Sequence, residues 1–209
     1  MSVDALFLWV PKCAGMSVYR ALVPHGCIEN RWDTPLEPFA NRGIATFGHV
    51  DVRQLIERGV VTRAYFDRAL KFAFVRNPFD RLVSLFVYLK RIKCDDVPDD
   101  MTFEAFCWKV ERREHPPVGL YNYRGLNQCN PMCDWLTDAN GELIADFVGR
   151  YESVTDDFRA VCDRLGIEAV LPHENATQHG PYRDYYTRAT RAVVESVYRR
   201  DLDLFGYDF

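Results

Sequence analysis

The sequence predicts an α/β fold in which a largely parallel sheet is flanked by helices, and three observations lead to this prediction. Short apolar runs alternate with longer segments whose apolar residues recur at helical spacing. Turn-forming residues follow the apolar runs, so strand and helix alternate along the chain. Hydrophobic residues make up 48% of 209 residues, which is enough for one sizeable core. A single α/β domain over residues 1–209 is therefore expected.

The first half of the chain supplies a strand, a turn and two helices. Residues 5–10 are apolar and end at Pro11, which predicts a strand followed by a turn. A helix is expected over residues 16–22, a short strand-like run over 44–50 and a second helix over 52–58. These elements alternate as a parallel sheet requires.

The strongest helix start lies in the middle of the chain. Residues 71–75 form a short β-rich apolar run, and Asn77 and Pro78 follow it as a credible N-cap and first helical residue. The helix is expected to reach about residue 93, and its core face is read from leucines and phenylalanines at helical spacing.

The second half begins less regularly and then resumes the alternation. A helix is expected over residues 101–113, and an irregular loop rich in Tyr, Asn and Cys over 116–131. Residues 144–148 are typical of a buried strand, and helices are expected over 156–165 and 187–204. In such folds ligands gather at the carboxyl ends of the strands.

Charge and cysteine content exclude several classes of protein. The chain has 26 Lys and Arg against 30 Asp and Glu, a net charge of −4, so no basic field favours nucleic acid. No apolar run is long enough for a signal peptide or a membrane span. Seven cysteines without a disulfide framework favour reduced thiols and an intracellular protein. Cys129 and Cys133 lie too far from His173 and His179 for a zinc module, so no metal site is predicted.

The turn after the first strand, VPKCAGMS at residues 10–17, predicts an anion site. Backbone N–H groups of such a turn and the N-terminus of the next helix point at one spot. Lys12 and the Ser17 hydroxyl add groups that suit a phosphate-like ligand. The spacing differs from a Walker A loop, in which the Lys directly precedes the Ser or Thr. An ordinary turn with an exposed Lys is the alternative.

A second motif, FVRNPFDRLVSLFVY at residues 74–88, places Arg76 directly after another strand. A guanidinium with a nearby hydroxyl suits a cluster of phosphate oxygens. From Arg76 to Lys93 five basic residues oppose Asp80 alone, and a simply solvated basic face is the alternative. Four polar residues share one face of the predicted helix: Asn77, Arg81, Ser84 and Tyr88.

Both motifs resemble those of sulfotransferases that use 3′-phosphoadenosine 5′-phosphosulfate (PAPS). PKCAGMS resembles the PKTGGTS-type loop for the 5′-phosphosulfate, and RNPFDRLVSLF resembles the RDPxxRxxS-type element for the 3′-phosphate. FGHV, FVGRYES and the closing YRRDLDLFGYDF resemble blocks of the carbohydrate branch that includes heparan-sulfate 2-O-sulfotransferases. The resemblance runs from residue 6 to residue 209, is patchy over 95–145, and implies a P-loop-like three-layer domain.

The resemblance implies a role for each matching residue. Lys12 would contact the oxygens around the scissile sulfate as a catalytic group, and Arg76 and Ser84 would hold the 3′-phosphate. Arg183, in a late loop, would reach the 3′-phosphate or the adenine pocket. The loop as a whole would bind the cofactor: Lys12, Cys13, Ala14, Gly15, Met16 and Ser17. Cys13, Ala14 and Gly15 stand where the family often has Thr-Gly-Gly.

His49, in the FGHV segment, would be the catalytic base, because an acceptor hydroxyl must lose its proton. The sulfuryl group carries less negative charge than a phosphoryl group, so no metal ion is required.

The acceptor is expected to be a carbohydrate or glycolipid. Glu152 is expected to be a buried structural acid paired with an Arg. Residues of the irregular loop could form the acceptor cleft: Tyr121, Tyr123, Arg124, Asn127, Gln128 and Trp135.

Two other functions stay open. A nucleotide kinase-like phosphotransferase would need Walker spacing and a metal-binding acid at the end of a second strand, where this chain has Arg76. A non-catalytic nucleotide-binding module would bind its ligand without depending on His49. Relatives in secretory compartments carry a membrane anchor before the domain, whereas here the first strand begins at about residue 5, so a cytoplasmic enzyme is expected. Its product from PAPS would be 3′-phosphoadenosine 5′-phosphate (PAP).

Overall fold

The strands pair in parallel throughout, which confirms the predicted α/β class. The sheet has the order β2-β3-β1-β4-β5. Its strands are β1 (Ala5–Leu8), β2 (Ile28–Glu29), β3 (Ile44–Thr46), β4 (Leu70–Val75) and β5 (Phe147–Arg150). Because β1 pairs in parallel with both β3 and β4, the carboxyl ends of these three strands lie at one edge of the sheet, where α/β folds bind ligands.

The computed structural model describes residues 3–29, 39–114, 126–172 and 179–209. Within these ranges the α-helices are α1 (Gly15–Leu22), α2 (Val52–Glu57), α3 (Arg63–Arg68), α4 (Pro78–Arg91), α5 (Phe103–Glu111), α6 (Cys133–Leu136), α7 (Val154–Leu165), α8 (Arg188–Val197) and α9 (Arg199–Phe205). Short 3-10 turns occupy Val23–His25, Tyr151–Ser153 and Tyr182–Tyr185.

The chain divides into two compact units. We call Met1–Val75 with Asp134–Asn175 the sheet unit, because it holds the five strands of the described residues. Arg76–Cys133 with Ala176–Phe209 is the helical unit, built on α4, α5, α8 and α9. The single domain expected over residues 1–209 stays a prediction.

Aromatic side chains fill the core of the sheet unit. Phe7 of β1 stacks on Phe72 of the neighbouring β4 with ring centroids 5.2 Å apart. The Tyr65 hydroxyl of α3 donates to the carbonyl oxygens of Ala5 and Gly43, at 2.7 and 2.9 Å, and so ties that helix to two strand ends. Gly149 of β5 leaves room for Phe74, since a Cβ there would lie 2.6 Å from the phenyl ring.

The helical unit has its own apolar core, in which α4, α5 and α8 meet around Phe79, Phe106 and Val194. Buried polar groups of this unit bond to the backbone. The Tyr186 hydroxyl donates to the carbonyl of Phe79 at 2.9 Å, and the Tyr198 hydroxyl donates to the carbonyl of Cys129 at 2.7 Å. These bonds satisfy two buried hydroxyl groups and fix how the surrounding segments pack.

The closing helix predicted over residues 187–204 is two helices, α8 and α9, so that prediction is wrong in one respect. Tyr198 separates them with φ −104° and ψ 21°, which are not helical angles. Its ring is fully buried and its hydroxyl is held by Cys129. The break therefore follows from a tertiary contact, which the amphipathic pattern of residues 187–204 does not contain.

Candidate active site

The loop between β1 and α1 has the backbone shape of an anion site. Lys12 and Ala14 have positive φ angles of 67° and 60°, and Cys13 between them does not. This alternation turns successive N–H groups toward one side. Ala14 is the N-cap of α1, and no side chain caps that helix, so the positive end of the helix dipole adds to the loop donors.

Gly15, the first residue of α1, permits this loop to pack under Trp9. A Cβ on Gly15 would lie 1.7 Å from Trp9 Nε1, far inside van der Waals contact. The indole also stacks on Tyr19 of α1, with ring centroids 5.7 Å apart. Only glycine therefore allows the Trp9 ring to cover the start of α1.

The side chains of the loop divide into two groups. Lys12, Ala14 and Met16 are half-buried, and Ser17 lies buried in the first turn of α1. The Cys13 thiol is buried and donates to the carbonyl of Pro11 at 3.5 Å. The structure thus brings the six predicted loop residues together on one turn, and it points the thiol at the loop's own backbone.

His49 follows β3, the neighbour of β1, and is anchored to Trp9. Its Nδ1 lies 2.9 Å from the carbonyl oxygen of Trp9, and its ring meets the indole edge-on at 5.4 Å. Because a carbonyl oxygen only accepts hydrogen bonds, Nδ1 is the protonated nitrogen and donates. The lone pair of the neutral imidazole is then on Nε2.

Arg76 heads a charged cluster in the helical unit. Its Nε donates to Asp80 Oδ2 at 2.7 Å, and its Nη2 lies 3.5 Å from His179 Nε2. His179 Nε2 is also 3.6 Å from Asp80 Oδ1. Only 5% of Arg76 is exposed, so the idea of a simply solvated basic face is wrong for this residue.

Ser84, two turns into α4, is buried with an unsatisfied hydroxyl. It is 1% exposed, and its Oγ has no hydrogen-bond partner among the described residues. An unpaired buried hydroxyl costs on the order of 1–3 kcal/mol, so such groups are uncommon without a ligand or a water molecule. Its position beside the Arg76 strand end in the sequence motif makes it a candidate ligand contact.

Arg81 and Asn77, which share the predicted polar face, serve the structure of the helical unit. The Arg81 guanidinium is 2% exposed and donates to the carbonyl oxygens of Gln128 and Asn130, at 2.8 and 3.0 Å. Asn77 caps α4 by accepting from the N–H of Phe79, which confirms the predicted helix start. The solvated-face alternative therefore fails for Arg81 as well.

Two further predicted residues are exposed. Glu152 lies in the turn Tyr151–Ser153 and is exposed, so the prediction of a buried acid is wrong; the turn carries it outside the sheet. Arg183 is exposed, and its guanidinium lies over the ring of Phe209 at 4.9 Å. A role for Arg183 at the nucleotide stays a prediction.

The predicted acceptor residues are described only in part, because Tyr121, Tyr123 and Arg124 lie outside the described residues. Asn127 and Gln128 are buried in the helical unit and Trp135 in the sheet unit. Asn127 Oδ1 accepts from the N–H of Cys129 at 2.7 Å, which is a structural bond. Trp135 Nε1 is buried without a partner in the described part of the chain, as is the amide of Gln54.

Sequence reasoning missed Trp9 and His179. Trp9 carries no polar motif, and its importance comes from packing against Gly15 and His49. His179 is 103 residues from Arg76, so no local spacing relates the two. Their contact could be found only from the fold.

No group of three or more His, Cys, Asp or Glu side chains in the described part of the chain could hold a metal ion. None of the helices described is both long and apolar enough to cross a membrane.

The chain is similar to known proteins along nearly its whole length. The model of the Sulfotransferase family matches residues 4–208. An uncharacterized protein of Archaeoglobus fulgidus is 27% identical to this chain over 117 residues, which is 54% of this chain and 82% of that protein.

Two solved structures share the fold. A sulfotransferase from Alicyclobacillus acidocaldarius superposes with a TM-score of 0.52 at 17% identity, over 99% of this chain and all of that one. The mouse sulfotransferase SULT7A1 complexed with PAP gives a TM-score of 0.54 at 14% identity, over 96% of this chain and 84% of that one. At these identities the likeness establishes the fold.

Proposed function

Because the chain belongs to the sulfotransferase family, we propose that it moves a sulfuryl group from PAPS to a hydroxyl of a carbohydrate or glycolipid acceptor. The finer assignment to the heparan-sulfate 2-O-sulfotransferase-like branch rests on the FGHV, FVGRYES and closing motifs. PAPS, when bound, supplies the sulfuryl group and leaves as PAP. The reaction is an in-line displacement at sulfur, in which positioning and charge stabilisation supply most of the catalysis.

The observation that carries this proposal is the loop between β1 and α1. Its two left-handed residues and the uncapped start of α1 present backbone donors to an anion, as a 5′-phosphosulfate requires. Lys12 would neutralise the charge that develops on the oxygens around the transferred sulfur. Ser17 would hold the 5′-phosphate together with the N–H groups of residues 13–16.

The 3′-phosphate would be held by Arg76 and Ser84. The fit is supported by the buried Ser84 hydroxyl, which has no partner in the described part of the chain and could donate to a phosphate oxygen. Arg76 supplies a guanidinium held in place by Asp80. Buried, positioned donors of this kind lose little entropy when an anion binds.

His49 would remove the proton of the acceptor hydroxyl through Nε2. The bond from Nδ1 to the Trp9 carbonyl supports this role, because it keeps the lone pair on Nε2 and fixes the ring. A base whose ring could rotate or change tautomer would present the wrong nitrogen for part of the time. Trp9 is thus a positioning residue for His49.

Two remaining expectations belong to the same proposal. A single functional domain over residues 1–209 is supported by the family match over residues 4–208. A cytoplasmic location is consistent with the free state of all seven cysteines. Both stay predictions.

Titration with PAP tests the cofactor assignment. Wild type should bind PAP, and Lys12→Ala and Arg76→Ala should each weaken binding at least about tenfold, since each removes a charge-assisted contact. Arg159→Ala is the matched control, because Arg159 is 67% exposed on α7 and pairs with Asp156 of the same helix. A folded wild type that binds ATP with Mg²⁺ but not PAP would contradict the proposal and favour a phosphotransferase.

Transfer to a panel of carbohydrate acceptors tests the base. His49→Ala should bind PAP like wild type and lose transfer by a factor of about 10²–10⁴, the usual contribution of a general base. His25→Ala, on the 3-10 turn Val23–His25, is the control and should keep full activity. Undiminished transfer by His49→Ala would reject the base assignment and leave the cofactor assignment standing.

A further inference from the structure

The Arg76 cluster contains a third side chain that neither the motif nor the family match assigns. His179 Nε2 faces Nη2 of Arg76 at 3.5 Å and Oδ1 of Asp80 at 3.6 Å. On its other side Nδ1 lies 2.8 Å from the carbonyl oxygen of Gly180. Only 8% of the His179 side chain is exposed, so the ring is built into the cluster and does not lie on the surface.

The hydrogen bonds of this ring show which of its nitrogens can exchange a proton. The Gly180 carbonyl only accepts, so Nδ1 carries a proton and donates. Nε2 therefore faces both a donor and an acceptor: without a proton it can accept from Arg76 Nη2, and with a proton it can donate toward Asp80 Oδ1. The opposite charges of Arg76 and Asp80 cancel within the cluster.

A phosphate bound by Arg76 would upset this balance. Asp80 holds Nε of Arg76, so a phosphate would bind through the Nη side, where Nη2 faces His179. A phosphate monoester near neutral pH brings −1.5 to −2 charges, roughly, and Arg76 has one charge already balanced by Asp80. His179 can correct the deficit by taking one proton from water at Nε2 and donating it to a phosphate oxygen.

We propose that His179 is a third binding residue for the 3′-phosphate, beside Arg76 and Ser84, and that it binds this phosphate as an imidazolium. The inference rests on the proposed function, because it takes PAPS and PAP as the ligands. Among the described residues, the charged or titratable groups beside His179 are Arg76 between β4 and α4, Asp80 on α4, and Tyr185, whose ring lies edge-on at 6.2 Å. Arg76 disfavours the imidazolium, whereas Asp80 and the phosphate favour it.

Binding of PAP should therefore take up a proton in a way that depends on His179. Isothermal titration calorimetry of the wild type, in buffers of different ionisation enthalpy at pH 7, measures the protons taken up. His179→Gln should weaken PAP binding by about tenfold or more at pH 6 and by less than about threefold at pH 8.5, because only the imidazolium form is lost. His25→Gln is the matched control and should follow the wild type at both values.

Two comparisons separate this role from a structural one. His179→Lys keeps a positive charge at all these pH values, so it should bind PAP tightly and lose the proton uptake. Binding of 5′-AMP, which has no 3′-phosphate, should be the same in wild type and His179→Gln. The proposal would be overturned if wild type and His179→Gln took up the same number of protons, or if His179→Gln lost 5′-AMP binding as strongly as it lost PAP binding. In either case PAP binding by the wild type would still uphold the proposed function. A folded wild type that binds no PAP at all would instead overturn both.

Discussion

Two adjacent residues of the loop before α1 have opposite requirements. Ala14 has φ 60°, a conformation that costs a non-glycine residue about 1–2 kcal/mol. Gly15 has an ordinary φ but no room for a methyl group, because Trp9 Nε1 would lie 1.7 Å from its Cβ. The chain thus has a side chain where the backbone prefers glycine, and glycine where packing requires it.

Substituting alanine for Gly15 and glycine for Ala14 gives a matched pair of variants. Gly15→Ala should destabilise the protein by about 1–3 kcal/mol through overpacking, and should weaken PAP binding, because the Trp9 ring must move off the loop. Ala14→Gly should leave stability unchanged or raise it by up to about 1 kcal/mol. Relief of the backbone strain stabilises the fold, and the greater freedom of glycine in the unfolded chain offsets part of that gain. Urea denaturation and PAP titration of both variants measure these effects. Equal losses in the two variants would contradict this account.

At the scale of single residues, the sequence predicts the position of the proposed anion-binding turn but not the residues that pack around it. Lys12 and Ser17 are recognisable because a polar pair between a strand and a helix is a local pattern. Arg81 looks like a surface charge, yet it is buried because the carbonyls of Gln128 and Asn130 need donors. Partners so distant in sequence leave no periodic signal.

Among the elements, α9 is held in place by one buried carboxylate. Asp201 is fully buried and accepts from the N–H groups of Met132 and Cys133, at 2.7 and 2.8 Å, with one oxygen for each. Burial raises the pKa of the Asp201 carboxyl, while Arg81 and these two N–H groups oppose the rise. Both oxygens are needed, because each satisfies a different donor.

Asp201→Asn should therefore destabilise the helical unit by about 1–3 kcal/mol, since an amide has only one acceptor oxygen and turns an NH₂ group toward the second N–H. Asp203→Asn, two residues further along the same helix, is the control. Asp203 is 63% exposed and pairs with Arg199, so its loss should cost less than about 0.5 kcal/mol. Thermal unfolding followed by circular dichroism compares the two, and a similar shift in both would argue against the buried bonds.

The helix boundaries show which elements a sequence can define. The start of α4 at Pro78, with Asn77 as cap, is predicted correctly because both signals are local. The break between α8 and α9 at Tyr198 is not predicted, because it depends on a hydrogen bond to Cys129. The two-residue strand β2 is also missed, since Ile28 and Glu29 become a strand only by pairing with β3.

Across the whole molecule, three buried thiols respond to alkaline pH in the same direction. Burial raises the pKa of Cys27, Cys107 and Cys129 from 9.0 to about 12. Each thiol therefore loses its proton in the unfolded chain before it does so in the fold. Their contribution to stability is complete below pH 9 and is lost as the pH rises toward 12.

Cys27→Ala isolates one of these contributions. The free energy of unfolding of both proteins should fall with pH above 9, and the fall between pH 9 and 11 should be shallower in the variant, which has one titrating thiol fewer. Other groups titrate in this range, so the difference between the two slopes is the measured quantity. Urea denaturation at several pH values provides it, and parallel curves would show that the Cys27 thiol has the same pKa folded and unfolded.

The position of Trp9 has an optical consequence. Its indole is 8% exposed, covers Gly15, and meets the imidazole of His49 edge-on at 5.4 Å. A protonated imidazole in contact with an indole quenches its fluorescence, whereas a neutral imidazole quenches it weakly. Trp9 is therefore a natural fluorophore beside the proposed base. The difference in emission between the wild type and Trp9→Phe, measured across a pH titration, would report the charge of His49 without any label.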